Sequence, residues 1–449
     1  MSYLSIRYSK PLILLFVLAI VFMLLPTFFA PKPRSFLFDD VCSIEDLTSC
    51  TGEEDLSSVD SRLDGIQVDM GNIIRNIRQS IESSARSFDE NYYSTELGFN
   101  IQYQPLSKYR QHLQDVWEQH FASSSSSPSS SISSNAAITS EKVLSHLSII
   151  PSSSSNDPIP SSIYTTSLED PNDLPEQFKS WTSNNADWNV RFVDDQGIDA
   201  WLEDILPASK VVEAMRWLKD DGRWGVVRSD LFRYLVLLLD GGVYTDTDTA
   251  CIRPISQWGD SAVKHHADSP LIEALPQLLS LSKSAGRTDP EIAGVEEDDS
   301  PSLIIALEND SPASGSDWEA DTFVRGLQVV QWTMAAKKGH PILLDVIAHA
   351  LNKVDELRIA RKSGLVIDEE QDILEWSGPG AFTDAVFRYL LLRHGFHPKQ
   401  ASGLDRPLRV GDVLIMPIHS FRADASEGYQ GDNKVVWHGF FGRWKSEQN

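Results

Sequence analysis

The sequence predicts an α/β fold, and three observations carry that expectation. The run "WNVRFVDD" reads as a strand from Val190 to Val193 that ends in the acidic pair Asp194-Asp195. The run "SDLFRYLVLLLDGGVYTDTDT" reads as a helix, apolar nearly all round and therefore buried, that stops at Gly241-Gly242 and passes into a strand from Val243 to Thr245. Near the C-terminus "DVLIMP" supplies a further strand after more helical patterning. Strands that alternate with helices indicate an α/β sheet, and ligands of such sheets bind beyond the carboxyl ends of the strands.

The chain has 449 residues, enough for two or three domains at about 100 to 200 residues each. Residues 1–10 read as a short tail carrying Arg7 and Lys10, and residues 11–30 form an uncharged apolar run of the length a bilayer core requires of a helix. A cleaved secretory signal is the competing assignment, but the run exceeds a usual signal core and Phe28 stands where a small residue is preferred. The expectation is an uncleaved signal-anchor with the remainder lumenal. Lumenal residence allows Cys42 and Cys50 to pair, leaving Cys251 single, and is compatible with the sequon Asn309-Asp310-Ser311.

Residues 31–157 read as a stem. Leu63, Ile66, Met70, Ile73 and Ile77 are spaced three and four apart, so a short amphipathic helix is expected over 60–81, a candidate surface for homo- or hetero-oligomerisation. The Ser-rich tracts "ASSSSSPSSSISSN" and "PSSSSNDP" read as flexible linkers, since they bury too little apolar surface to offset ordering entropy. Globular patterning then runs over 158–449, the expected catalytic domain. Helices are expected at Ile198–Ile205 and Val211–Leu218, and over the apolar run with Ser229 as N-cap and Asp230 in the first turn. An acidic, Ser/Pro-rich stretch at about 285–321 reads as a surface insertion with one strand at Leu303–Leu307. Two core helices are expected across "FVRGLQVVQWTMAAKKGHPILLDVIAHAL", then a turn at "SGPGAFTD" and a helix at Ala385–Leu392.

Lys and Arg total 39 against 64 Asp and Glu, a net charge of −25, so no basic surface recruits nucleic acid. The chemistry concentrates at Asp246 and Asp248. Two carboxylates in D-x-D supply hard oxygen ligands for Mn²⁺ or Mg²⁺, and strand alternation would point both the same way. A solvated turn explains the same pair. So does an aspartyl phosphatase site, whose first Asp attacks phosphorus, although Ala250 stands where that motif carries Thr.

The surrounding residues distinguish these. "RSDLFRYLVLLLDGGVYTDTDT" resembles the signature of glycosyltransferase family 32, in which an Asp-x-x-Arg helix leads through Gly-Gly to a metal-binding D-x-D. "IPSSIYTT", "FVDD", "QVVQWTMAAKKGHP", "SGPGAFTD" and "WHGFFGRWK" extend the resemblance over about the last 290 residues, most closely toward fungal Golgi α-1,6-mannosyltransferases. The family commonly has a Gln and a Trp where Thr165 and Ser167 stand.

The resemblance implies a GT-A, Rossmann-like domain behind a type II anchor in the Golgi membrane. It implies GDP-mannose as donor, a mannose of an N-linked glycan as acceptor, an α-1,6 linkage and retention. Related enzymes that mannosylate inositol phosphorylceramide, and non-catalytic subunits of mannan-polymerising complexes, are the alternatives. By resemblance Asp246 meets the nucleotide ribose and metal, Asp248 ligates the metal and His438 completes the metal site. Asp230 and Arg233, three apart and hence on one helix face, contact donor-sugar hydroxyls, and Arg228 is a weaker candidate of the same kind. Asp194 and Asp195 either approach the nucleotide or cap a strand. Gly242 and Tyr244, inside the matched run, join the substrate-binding set. Gly378 and Gly380, with Asp384, either line an acceptor cleft, since glycines let backbone approach a ligand, or make only a tight turn into a helix N-cap, and Glu375 and Trp376 are candidates for a sugar platform.

Overall fold

The computed structural model describes residues 70–122, 132–148, 157–167, 174–265, 300–365, 372–421 and 434–441. The anchor expected over 11–30, Cys42, Cys50 and the first part of the acidic stretch lie outside these residues. Among the described residues no helix is long and apolar enough to cross a membrane.

Among the described residues, four α-helices precede the first strand: α1 (Met70–Arg86), α2 (Glu90–Leu97), α3 (Leu106–Val116) and α4 (Ile132–His146). The stem expectation is corrected across them, because their apolar faces belong to the main core. Ile77, Leu97, Tyr109, Leu113 and Val143 are buried, and the Tyr109 hydroxyl donates to Asp345 at 2.9 Å. Helix α4 starts inside one Ser-rich tract, where Ile132, Ala136 and Ala137 interrupt the serines.

The chain then lays down β1 (Ser162–Thr165), β2 (Asn189–Phe192), α5 (Asp195–Ile205), α6 (Lys210–Asp221), α7 (Gly225–Leu239), β3 (Gly242–Thr245), β4 (Thr249–Cys251), β5 (Val263–Lys264) and β6 (Leu303–Asp310). There follow β7 (Leu327–Val329), β8 (Thr333–Ala336), α8 (Pro341–Lys362), α9 (Pro379–His394), β9 (Leu408–Val410), β10 (Val413–Met416) and β11 (Val436–His438). One sheet runs β2-β1-β3-β8-β6-β10-β9-β5, with β7 also on β6, and β11 pairs with β4 in a separate ribbon. The sheet is mixed. β1 is parallel to β2 and β3, and β6 to β10, whereas β8 runs antiparallel to both β3 and β6.

Side-chain alternation divides the sheet's two faces. Tyr164, Tyr244, Leu303, Ile305 and Met334 face the core under α7, α8 and α9, while Ile163, Val243, Ile304, Ala335 and Leu414 face a smaller core with Trp181 and Trp258.

Three further expectations change. The expected first helix of "FVRGLQVVQWTMAA" is the strand pair β7 and β8, because a short apolar run does not by periodicity reveal its type and here its backbone groups pair with β6 and β3. Helix α7 begins at Gly225, so Ser229 and Asp230 sit a turn inside it and Asp230 is buried. The strand inside the acidic stretch is no surface feature: all eight residues of β6 are buried at the centre of the sheet.

Asp412, between β9 and β10, fastens several elements. Its carboxylate accepts from the Tyr389 hydroxyl at 2.9 Å and lies 2.8 Å from His146 Nδ1, with His340 and His394 at 3.4 and 3.5 Å. His340 caps α8, its Nδ1 accepting from the Ile342 amide. His146, Tyr389 and Asp412 thus form a hydrogen-bonded brace.

Candidate active site

β3 is four residues long and ends at Thr245, with Gly242 at φ +116°, where a Cβ would lie 2.5 Å from the Ser162 carbonyl oxygen. Gly242 therefore serves the approach of β3 to β1 and does not reach a substrate. Asp246, Thr247 and Asp248 form the turn into β4, so the two carboxylates converge through a turn rather than through strand alternation. The turn is held firmly. Thr249 Oγ1 donates to the Asp246 carbonyl at 2.7 Å, the Asp246 amide donates to the Trp332 carbonyl at 2.9 Å, and the Gly439 amide donates to the Asp248 carbonyl at 2.8 Å.

Pairing of β11 with β4 sets His438 opposite Thr249. His438 Nε2 then lies 3.1 Å from Asp248 Oδ1, and the Phe441 amide donates to Asp248 Oδ2 at 3.1 Å. Ligand atoms of Asp246, Asp248 and His438 all fall within 4.8 Å of one another. Two carboxylates and one imidazole are hard oxygens with a borderline nitrogen, a donor set that fits Mn²⁺ or Mg²⁺. Burial opposes the charge on Asp248, but His438 and the Phe441 amide outweigh it and hold the carboxyl below its ordinary range.

Behind the triad stands a layer of buried polar groups. Asp246 Oδ1 accepts from the Tyr244 hydroxyl at 2.9 Å and from Arg233 Nη2 at 3.2 Å. Arg233 also bonds Asp230 at 3.0 Å and lies 5.0 Å over the Tyr244 ring. Burial works against the Arg233 charge, but Asp246 and Asp230 reverse it and keep the guanidinium protonated. Asp230 is 1% exposed and takes a hydrogen bond from Ser377 Oγ at 2.7 Å. Its burial, only partly offset by Arg233, lifts the carboxyl to about 6.

The structure therefore brings together Asp230, Arg233, Tyr244, Asp246, Asp248 and His438. It sets the other expected residues elsewhere. Arg228 lies about 160° around α7 from Asp230 at 100° per residue and pairs with Asp195 and Asp199 of α5. Asp195 is thereby an ion-pair partner, and Asp194 caps α5 through the Gly197 amide at 2.7 Å. Asp194 also lines a cleft of about 640 Å³ with Phe192, Trp201 and Phe232, on the opposite face of α7 from Asp230. Asp384 is held by the Asn100 amide and by buried Arg325, which also pairs with Glu375. Gly378 and Gly380 pack against Leu374, where a Cβ would lie 2.7 and 3.0 Å from its backbone. Trp376 is buried against Trp224 and is no platform. Asn309 is 5% exposed and its amide nitrogen donates to the Arg325 and Gly326 carbonyls, which removes the sequon from the surface.

Sequence reasoning missed Ser377 and Trp332. The Trp332 ring stacks on His438 at 4.2 Å and 11°, and its indole N–H donates to Glu308 at 3.0 Å. Both residues lie within quoted runs, "SGPGAFTD" and "QVVQWTMAAKKGHP", but nothing local marks either as reaching the aspartates.

Residues 171–264 match the family model for the glycosyltransferase sugar-binding region containing DXD motif, and Asp246-Thr247-Asp248 is the D-x-D within them. In this segment the chain is thus similar to DXD-containing glycosyltransferases. Among curated relatives, the chain is 29% identical over 294 residues to the initiation-specific alpha-1,6-mannosyltransferase of Candida albicans, covering 60% of this chain and 66% of that protein. It is 30% identical over 301 residues to the protein of the same description from Schizosaccharomyces pombe, covering 64% of each chain. The matches thus span just under two thirds of those relatives' length. Among solved structures, the PaToxG glycosyltransferase aligns at 14% identity and a TM-score of 0.30, over 58% of this chain and 79% of that one, a likeness too slight to carry an argument.

Proposed function

We propose that this chain is a GT-A mannosyltransferase that moves mannose from GDP-mannose to a mannose of an N-linked glycan, forming an α-1,6 bond. We place it in the Golgi membrane by its apolar N-terminal run, with the catalytic domain lumenal. The observation that carries the proposal is the convergence of Asp246, Asp248 and His438 in front of the buried Asp230–Arg233 pair. The names of the relatives in two fungi supply the sugar and linkage.

A divalent cation held there supplies Lewis-acid neutralisation of the diphosphate, so that GDP can leave. The chain's own residues do the rest. Asp246, Asp248 and His438 hold the cation, with Tyr244 and Arg233 fixing the Asp246 carboxylate and Phe441 the Asp248 carboxylate. Asp230, braced by Ser377, fixes Arg233, which adds positive charge next to the phosphates. Among the described residues, the carboxylates of Asp230, Asp246 and Asp248 are engaged in these roles, which favours retention by front-face attack of the acceptor hydroxyl over a covalent enzyme adduct. Trapping a mannosyl adduct on Asp230 would overturn that route.

The test is transfer by the full chain in detergent, with Mn²⁺ and a panel of sugar nucleotides, to a high-mannose N-glycan. Transfer from GDP-mannose that disappears in folded Asp248→Asn supports the reading. Mn²⁺-dependent binding of GDP without transfer to any acceptor would replace it with the accessory-subunit alternative.

A further inference from the structure

The segment after β11 carries an unusual choice of residue. Phe440 has φ +50°, in the left-handed region that glycine or asparagine occupies more cheaply. The conformation has a local use. With Phe440 turned this way, the Gly439 and Phe441 amides on either side both donate to Asp248, one to its carbonyl and one to its carboxylate. That geometry explains the backbone but not the side chain.

The side chain is also exposed. Phe440 is 50% and Phe441 47% exposed, the two exposed phenylalanines among the described residues. The Phe440 ring meets the His438 ring edge-on at 4.0 Å and lies 6.3 Å from the Trp332 ring. An apolar aromatic surface therefore begins where the metal triad ends, and polar carboxylates adjoin it. A pyranose matches such a rim, because its C–H face packs on an aromatic ring while its hydroxyl edge reaches polar groups.

We propose that Phe440 and Phe441 form the platform on which the acceptor hexose stacks. The inference rests on the proposed function, which requires an acceptor hydroxyl close to the sugar of a donor whose diphosphate is held at Asp246, Asp248 and His438. The neighbouring groups on the triad's inner side are spoken for: Trp332 lies beneath His438, and Asp230, Arg233 and Tyr244 are buried. Among the described residues the aromatic lip is the exposed side of the triad, and a second sugar approaches from it.

The test uses the full chain with Phe440→Ala, Phe441→Ala, the double variant and Phe440→Gly. Three quantities are measured: KM for a mannose-terminated oligosaccharide, affinity for GDP with Mn²⁺, and saturation-transfer NMR contact with methyl α-mannoside, which needs no turnover. The double variant is expected to raise acceptor KM about tenfold, to lose the saturation-transfer signal and to keep GDP affinity within about twofold. Phe440→Gly relieves the backbone, so it is expected to melt no lower than wild type yet to lose acceptor binding like Phe440→Ala. Weakened GDP binding with unchanged sugar contact would overturn the platform in favour of nucleotide stacking. Retained sugar contact and unchanged acceptor KM in the double variant would overturn it outright. A wild type that binds methyl α-mannoside through these rings but transfers nothing would keep the platform and refute the enzyme.

Discussion

Trp332 offers the sharpest test of the proposed metal site. Its ring lies flat under His438 and its indole N–H is fixed by Glu308, which a second donor, Gln328, also holds at 2.8 Å. Trp332→Phe keeps a ring beneath the imidazole but leaves buried Glu308 Oε1 without its donor. Groups that orient a metal ligand typically contribute 10–100-fold to metal affinity, so Mn²⁺ binding should weaken about tenfold, or about 1.4 kcal/mol. Trp332→Ala removes the stack as well, about 0.5–1.5 kcal/mol beyond area, and opens a cavity costing about 3–5 kcal/mol of stability. The Phe variant is therefore the informative one. Free Mn²⁺ measured by EPR during titration, alongside a melting curve, reads both quantities. A folded Trp332→Phe protein with wild-type Mn²⁺ affinity, while His438→Ala loses it, would refute the claim that the Glu308-held indole fixes the imidazole.

Other consequences follow from single contacts. Burial raises Asp230 in the folded chain to about 6, so between its ordinary value near 3.8 and 6 the folded state keeps a proton that the unfolded chain has released. Stability should then fall as pH rises through that window, turnover should rise through about pH 6 as the carboxylate ionises, and Asp230→Asn should flatten the stability profile. Asp412→Asn removes the anion that His146 and Tyr389 share, and urea denaturation should show a loss of about 3 kcal/mol. Gly242→Ala forces a Cβ against the Ser162 carbonyl at a positive φ, and its melting temperature should fall by several degrees. Peptide mapping of protein secreted from a glycosylating host should find Asn309 unmodified, since its side chain is bonded inside the fold.

Much of the site was legible because its pieces are local. An Asp-x-x-Arg spacing puts Asp230 and Arg233 on one helical face whatever the rest of the chain does, and Gly241-Gly242 ends that helix four residues before Asp246. The strand–helix alternation likewise follows from periodicity, which fixes element type where runs are long. It failed at Leu327–Ala336, where a short apolar run takes its conformation from the strands on either side.

What the sequence by itself determined is the chemistry available: two aspartates after a buried helix, an arginine beside them and a histidine near the C-terminus. Only the tertiary structure decided which of these meet. His438 reaches Asp248 across 190 residues because β11 pairs with β4, and Trp332 reaches His438 because β8 lies beside β3. It also decided that the helices of 70–148 are core rather than stem, and that Arg228, Asp195 and Asp384 are consumed by ion pairs. The physical reason is common to all of these. Backbone pairing between distant strands and the partner a buried charge finds depend on the whole packed chain, whereas spacing on a helix depends only on its neighbours.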